Sequence, residues 1–123
     1  MKPFPLPRRP TRCIWVGSVP VGGGAPIAVQ TMVKADPHDE KAILGQIRRA
    51  AEAGCDIIRM AIPDEKAARV LAMIRRESPL PVVADIHFRH TLALAALAAG
   101  CDGLRINPGN IGGAARVREV VRA

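Results

Sequence analysis

The sequence predicts an α/β chain, the N-terminal half of a TIM (β/α)8 barrel, with about four parallel strands and their helices preceded by a small β-hairpin. Three observations lead there. Short apolar runs alternate with longer segments of helical period, as βαβ units require. Ala53-Gly54-Cys55-Asp56 followed by Arg59 recurs as Ala99-Gly100-Cys101-Asp102 followed by Arg105. The 46 residues from Arg59 to Arg105 hold two βα units of about 23 residues each. Finally, polar side chains gather where the apolar runs end. A doubly wound sheet is the runner-up, but no G-x-G-x-x-G follows the first strand.

The 123 residues suit one domain, and 49% apolar content supports a sizeable core, much of it alanine on helices packed closely against a sheet. No apolar run approaches the roughly 18 residues of a spanning helix, and Met1 to Arg12 lacks the apolar centre of a signal peptide. A cytoplasmic protein is expected. Cys13, Cys55 and Cys101 form no C-x-x-C pair and make an odd count, so reduced, buried thiols are expected and no metal ligands. The net charge of +7 would suit nucleic acid. However, Phe4, Trp15 and Phe88 are the only aromatic residues, too few for the stacking platforms of a single-strand binder. Arg48, Arg49, Arg69, Arg75, Arg76, Arg116, Arg118 and Arg122 fall in helical segments, where solvated outer faces explain them.

In chain order, residues 1–12 read as a flexible, basic, proline-rich arm and residues 13–123 as the partial barrel. Cys13 to Val16 and Pro20 to Val21 flank a turn. Gly22-Gly23-Gly24 resembles a phosphate loop, but no helix follows it, so a hairpin or lid is expected. Pro26 to Thr31 is the first buried strand, ending in Gln30 and Thr31. Asp36 caps the first helix, with Pro37 at its first position and Asp39 in its first turn. Ile43, Ile47, Ala50 and Ala51 form its inner face, and Gly54 ends it. Asp56 to Ala61 is the second strand. Arg59 within it is costly unless it reaches water or an anion. Pro63 and Asp64 start the second helix, which faces inward with Ala67, Val70, Leu71 and Ile74. The third strand, Pro81 to Ile86, carries Asp85 and runs into His87 and Arg89. The third helix spans about Thr91 to Ala99 and stops at Gly100. The fourth strand is Gly103 to Asn107, and the fourth helix is Ala114 to Arg122. Cys55 and Cys101 precede their strands and belong at the opposite face from an active site.

Gln30, Arg59, Asp85, His87, Arg105, Asn107 and Asn110 come from the C-terminal ends of four successive strands or the turns after them, and a parallel barrel gathers such ends on one face. Arg105 and Arg59 offer planar paired donors, and the Pro108-Gly109-Asn110-Ile111-Gly112-Gly113 turn brings backbone N–H groups and a helix N-terminus to an anion. This set would hold a phosphate or diphosphate. Asp85 would bind substrate hydroxyls or orient His87, which could donate a hydrogen bond or a proton. Blander explanations stand beside these. Arg59 can form a structural ion pair with Asp85 or Asp56, His87 can be a hydrogen-bonded structural histidine, and Asn107 and Asn110 can be turn formers. From the residues alone the inference stops at binding of a phosphorylated small molecule.

Pro26-Ile-Ala-Val-Gln30-Thr-Met32, Ala53-Gly-Cys-Asp-Ile-Ile-Arg59, Val83-Ala-Asp85-Ile-His87-Phe88 and Leu104-Arg105-Ile-Asn107-Pro-Gly-Asn110-Ile-Gly112 together resemble the 4-hydroxy-3-methylbut-2-enyl diphosphate synthase family, from Arg12 onward. The resemblance implies a barrel that binds 2-C-methyl-D-erythritol 2,4-cyclodiphosphate in non-mevalonate isoprenoid biosynthesis. The reaction is a reductive ring opening with loss of water, driven by two electrons from a [4Fe-4S] cluster that ferredoxin or flavodoxin recharges. It further implies that Arg59 and Arg105 clamp the diphosphate with help from Asn107, and that Asp85 and His87 line the substrate side of the pocket. Asp85 and His87 are expected to be the catalytic residues, and Gln30 and Asn110 to bind substrate with the arginines and Asn107. Thr31 stands where the family usually has serine. The family's second half-barrel and cluster domain have no counterpart here, and none of the three cysteines matches the cluster ligands. An inactive N-terminal fragment is therefore expected, and a homodimer for the full-length protein. The alternatives are a basic module for nucleic acid or another polyanion, and another phosphate-binding barrel enzyme of pterin or aldolase type.

Overall fold

The computed structural model describes residues 7–123. It contains a two-stranded antiparallel hairpin, β1 (Ile14–Val16) and β2 (Val19–Val21), and a four-stranded parallel sheet. The sheet strands are β3 (Gln30–Met32), β4 (Ile57–Ala61), β5 (Val82–Ile86) and β6 (Gly103–Ile106), in sequential order. Helices α1 (Glu40–Glu52), α2 (Glu65–Glu77), α3 (His90–Ala98) and α4 (Ala114–Arg122) alternate with them. Sequential parallel order with a helix after every strand is the arrangement of a half barrel. The first half of the expected arm lies outside the described residues. Residues 7–12 are exposed without regular structure, with Arg8 donating to the Ala25 carbonyl and the Thr11 hydroxyl accepting from Gly23 N–H.

Alternation along the strands sorts the side chains into two layers. Ile58, Met60 and Ile62 from the second unit, with Val82, Ala84 and Ile86 of β5, face the helices and join Ile43, Ile47, Leu71, Ile74 and Leu92 in one apolar core. The other face carries Arg59, Val83, Asp85 and Arg105, with Asp85 opposite Arg105 and Val83 opposite both Arg59 and Gly103. This inner face would look into the lumen of a closed barrel. Val16 of the hairpin lies beside Gly103, where an added Cβ would come within 3.8 Å of it, so the hairpin covers the foot of that face.

The repeated Ala-Gly-Cys-Asp phrase has one structure used twice. Gly54 (φ 95) and Gly100 (φ 90) end α1 and α3 in the left-handed conformation. The next N–H reaches back to the helix, Cys55 to the Ala50 carbonyl at 3.0 Å and Cys101 to the Ala96 carbonyl at 3.2 Å. Each aspartate then pins the start of the preceding strand: Asp56 Oδ2 accepts from Val29 N–H and Asp102 Oδ2 from Val82 N–H, both at 2.8 Å.

Several expectations change. Residues 26–29 are not strand, so the first parallel strand is Gln30–Met32 alone, and Ile27 and Val29 are exposed. Proline at 26 and an unpartnered outer edge leave only the part paired with β4 as ladder. The cap of α1 is Asp39, which accepts from Ala42 N–H at 3.0 Å. Asp36 instead accepts from His38 N–H at 2.8 Å and closes a turn around Pro37. Cys13 is exposed on the hairpin rather than buried, whereas Cys55 and Cys101 are half-buried at the foot of the sheet. Of the helical arginines expected on solvated faces, Arg75 departs, with its Nε 2.9 Å from the Asp102 carboxylate.

Candidate anion site on the inner face

Asp85 organises the site. Among the described residues it is the buried charged one, 1% exposed, and the pleat of β5 places it on the inner face, away from the helix-facing core. Ionised carboxylate at that depth requires cationic company. Arg105, its neighbour across the ladder, brings Nη1 to 3.4 Å from Oδ1. Arg59 stands one pleat lower, opposite Val83, and its Nε lies 3.3 Å from Oδ2. His87, two residues further along the chain, places Nε2 at 3.5 Å from the same oxygen.

These contacts leave donor capacity. Two guanidiniums face one carboxylate, so the cluster carries net positive charge even with His87 neutral. The buried Arg59 Nε–H makes no well-directed hydrogen bond despite its proximity to Asp85. Arg59 Nη2 has only the Met32 sulfur at 3.6 Å. Arg105 and His87 are about half exposed on the open side. Arginine donors held in place by a buried carboxylate and only partly satisfied suit an anion with several oxygens. They open on a concavity of about 550 Å³, whose walls include Arg59, Arg105 and Gln30 and whose foot is formed by Ile14, Trp15 and Val16.

The seven expected residues are thus not equivalent. Arg59, Asp85, His87 and Arg105 meet within 3.5 Å of one carboxylate. Gln30 shares the concavity but begins its strand rather than ending it, level with Ile57 and below Arg59. Asn107 is exposed above β6, and its Oδ1 accepts from Gly109 N–H at 3.0 Å, so that oxygen shapes the turn. Asn110 N–H closes the same turn onto the Asn107 carbonyl at 3.1 Å, and its own Oδ1 is buried without a partner. Asp56, considered as an alternative partner for Arg59, is engaged with Val29 instead.

Sequence reasoning missed the hairpin side chains at the foot, although the single Trp15 in an aromatic-poor chain was a signal. It also missed a belt of pairs along the rim that joins successive helix starts. His38 Nε2 lies 2.8 Å from Asp64 Oδ2, Arg89 pairs with Glu65, and His90 Nε2 lies 3.2 Å from Glu119 Oε2 and 3.0 Å from Arg116 Nη1. His90 Nε2 accepts from Arg116 only when unprotonated and donates to Glu119 only when protonated. Asp64 caps α2 through Ala67 N–H, and that bond, with His38, holds its carboxyl below the ordinary range. Arg89 is the main cause of the same effect at Glu65.

One backbone feature marks the rim. Phe88 has φ 64, and among the described residues it is the non-glycine with positive φ. The Arg89 N–H donates to the His87 carbonyl at 2.8 Å, closing a three-residue turn around it. Such a conformation costs a bulky residue about 1–3 kcal/mol.

The residues present do not fit an iron-sulfur cluster. Among the described residues no group of three or more His, Cys, Asp or Glu could hold a metal ion. Cys55 Sγ is turned to the carbonyls of Val29 and Ile57, Cys101 lies two strands away, and burial and Asp102 push its thiol pKa upward.

A four-stranded parallel sheet in sequential order, with a helix after each strand and two arginines beside a buried carboxylate on its inner face, defines a class: a segment of an α/β barrel. Residues 11–123 match the model of the GcpE TIM-barrel domain, and the chain belongs to that family. It is 52% identical over 118 residues to the 4-hydroxy-3-methylbut-2-en-1-yl diphosphate synthase (flavodoxin) of Thermodesulfovibrio yellowstonii, covering 96% of this chain and 34% of the relative. It is 54% identical to the protein of the same name from Azotobacter vinelandii, over 97% of this chain and 32% of the relative. With that of Geobacter sulfurreducens it shares 57% identity over 92% of this chain and 32% of the relative. The chain spans about a third of the length of these curated relatives.

Proposed function

We propose that this chain supplies part of the diphosphate-binding site of a 4-hydroxy-3-methylbut-2-enyl diphosphate synthase, with 2-C-methyl-D-erythritol 2,4-cyclodiphosphate as the ligand. The observation that carries the reading is the buried Asp85 carboxylate with Arg59, Arg105 and His87 arrayed around it, the two arginines also lining one concavity. Arg59 and Arg105 grip the two phosphates, and the Asn107 side-chain amide adds a donor at the mouth. Gln30 contacts the ligand from the foot and Asn110 supports the turn. Asp85 fixes the arginines before the ligand arrives, which lowers the ordering cost of binding. His87, on the exposed side of Asp85, holds a proton near the ring oxygen that leaves.

In the whole enzyme of this reading, two electrons and two protons enter, a carbon–oxygen bond of the cyclic diphosphate breaks, and water departs. A [4Fe-4S] cluster supplies the electrons there, and the relatives' name, which includes flavodoxin, supports a flavodoxin-class donor, ferredoxin being the other. This chain's residues bind, orient and move protons, and catalysis needs the cluster ligands they lack. The reading places the whole protein in the cytoplasm as a homodimer. Among the described residues no helix is long and apolar enough to cross a membrane.

Calorimetric titration with the cyclic diphosphate tests it, comparing wild type with Arg105→Ala. Loss of one bidentate arginine should weaken binding by about 2 kcal/mol, roughly thirtyfold. Equal affinity of the two proteins, or DNA binding with a steep salt slope and no affinity for the diphosphate, would refute the proposal.

A further inference from the structure

We propose that Phe88 is a positioning residue for His87: the left-handed turn centred on it, together with contact between its ring and the imidazole, holds His87 over the Asp85 carboxylate. The inference rests on the reading of the Asp85 cluster as the ligand site.

The connection from β5 to α3 is very short, His87 to Arg89. Asp85 and His87 lie on the same side of the extended chain, with Cα atoms about 6.6 Å apart on strand geometry. An imidazole nitrogen 3.5 Å from Asp85 Oδ2 therefore has to fold back along the strand. The turn at Phe88 makes this possible by ending the strand at once. Arg89 N–H closes it onto the His87 carbonyl, and the Arg89 side chain anchors the far end to Glu65 at the start of α2.

Glycine would adopt φ 64 without strain, so phenylalanine at this position needs a reason. Burial does not supply one, because Phe88 is 71% exposed. Its aromatic neighbour is His87, with ring centroids 6.1 Å apart and planes at 45°, within the range of favourable tilted pairs. A ring against one side of a half-exposed imidazole narrows the rotamers open to it. The Phe88 side chain thus contributes through His87 and not through the core.

The test uses nitrogen-15 NMR of the imidazoles in the 123-residue chain, well above the ordinary histidine range, where the two neutral tautomers are distinguishable. Wild type is compared with Phe88→Gly, which removes both strain and ring, and Phe88→Tyr, which keeps both. In wild type and Phe88→Tyr, His87 should favour the tautomer with its proton on Nε2, facing Asp85, and show cross-relaxation to the residue 88 ring. In Phe88→Gly the preference should be lost while the signals of His38 and His90 stay in place. An unchanged His87 tautomer in Phe88→Gly, or equal losses in both variants, overturns the proposal. Titrating the same samples with the cyclic diphosphate keeps the two readings separate. No binding to wild type with His87 still tied to residue 88 refutes the ligand site alone. Binding throughout with His87 indifferent to residue 88 refutes this inference alone.

Discussion

Replacing Asp85 with asparagine asks what holds the inner face together. The carboxylate has Arg59 Nε at 3.3 Å and Arg105 Nη1 at 3.4 Å. At an effective dielectric constant of about 20, each contact is worth roughly 5 kcal/mol of gross attraction. Most of this is cancelled by the several kcal/mol needed to strip water from a carboxylate that is 1% exposed. The arginines are one-third to one-half exposed, so solvent screens what remains, and the amide still offers one oxygen. A net loss of about 2 kcal/mol follows. For a chain of 123 residues, this lowers Tm by roughly 6–10 °C. Thermal unfolding followed by circular dichroism measures it. Inorganic pyrophosphate should return part of the loss, because an anion can take over the neutralising role between the two guanidiniums. A variant melting within about 1 °C of wild type, or one that pyrophosphate leaves unmoved, would show that Asp85 does not brace Arg59 and Arg105.

Other outcomes follow from the same geometry. Alkylation in the native state should modify Cys13 first and Cys101 last, since Cys13 is exposed while burial and Asp102 raise the Cys101 thiol; peptide mass spectrometry after timed quenching reads the order. Asp64 and Glu65 have folded values below their ordinary 3.8 and 4.5. Their stabilising contribution is therefore complete above those ordinary values and disappears as pH falls through the lower folded ones. Urea midpoints measured down to that range should show a shallower acid limb in Asp64→Asn, which has less to lose. Asp102→Ala should cost about 2 kcal/mol and Asp56→Ala about 1, because Asp102 holds both Val82 N–H and Arg75 whereas Asp56 holds Val29 N–H; equal urea midpoints for the two variants would contradict this.

The barrel-like order was legible because the information is local and repeated. The apolar faces of α1 and α2, the Gly54 and Gly100 stops and the run from Gly103 to α4 each declare themselves within a few residues. The errors fall where partner geometry decides. Pro26 to Val29 has strand composition, but its pairing depends on neighbours the sequence does not name. Asp36 and Asp39 are equally good caps on paper, and the tight turn at Pro37 gives the role to Asp39. The convergence of Arg59, Asp85, His87 and Arg105 was legible from topology. The different height of Gln30 was not, since it depends on the stagger between strands. The strain at Phe88 has no signature in residue type.

The foot of the sheet explains how the rim is set. A slip of one residue in strand pairing turns a whole strand inside out, which would drive Arg59 or Arg105 into the helical core. The hydrogen bonds from Val29 to Asp56 and from Val82 to Asp102 oppose that slip, tying β4 to the lead-in of β3 and β6 to β5 before the ladders begin. Each arginine follows its aspartate by the same spacing, so fixing the aspartate fixes the arginine's face and height. Both strands are read against β5, yet Arg59 registers with Val83 and Arg105 with Asp85. The cations therefore approach one carboxylate from different levels instead of competing for the same position. The 46-residue repeat thus sets an aspartate pin before each strand and an arginine three residues on, and the stagger between its copies brings both arginines to one carboxylate.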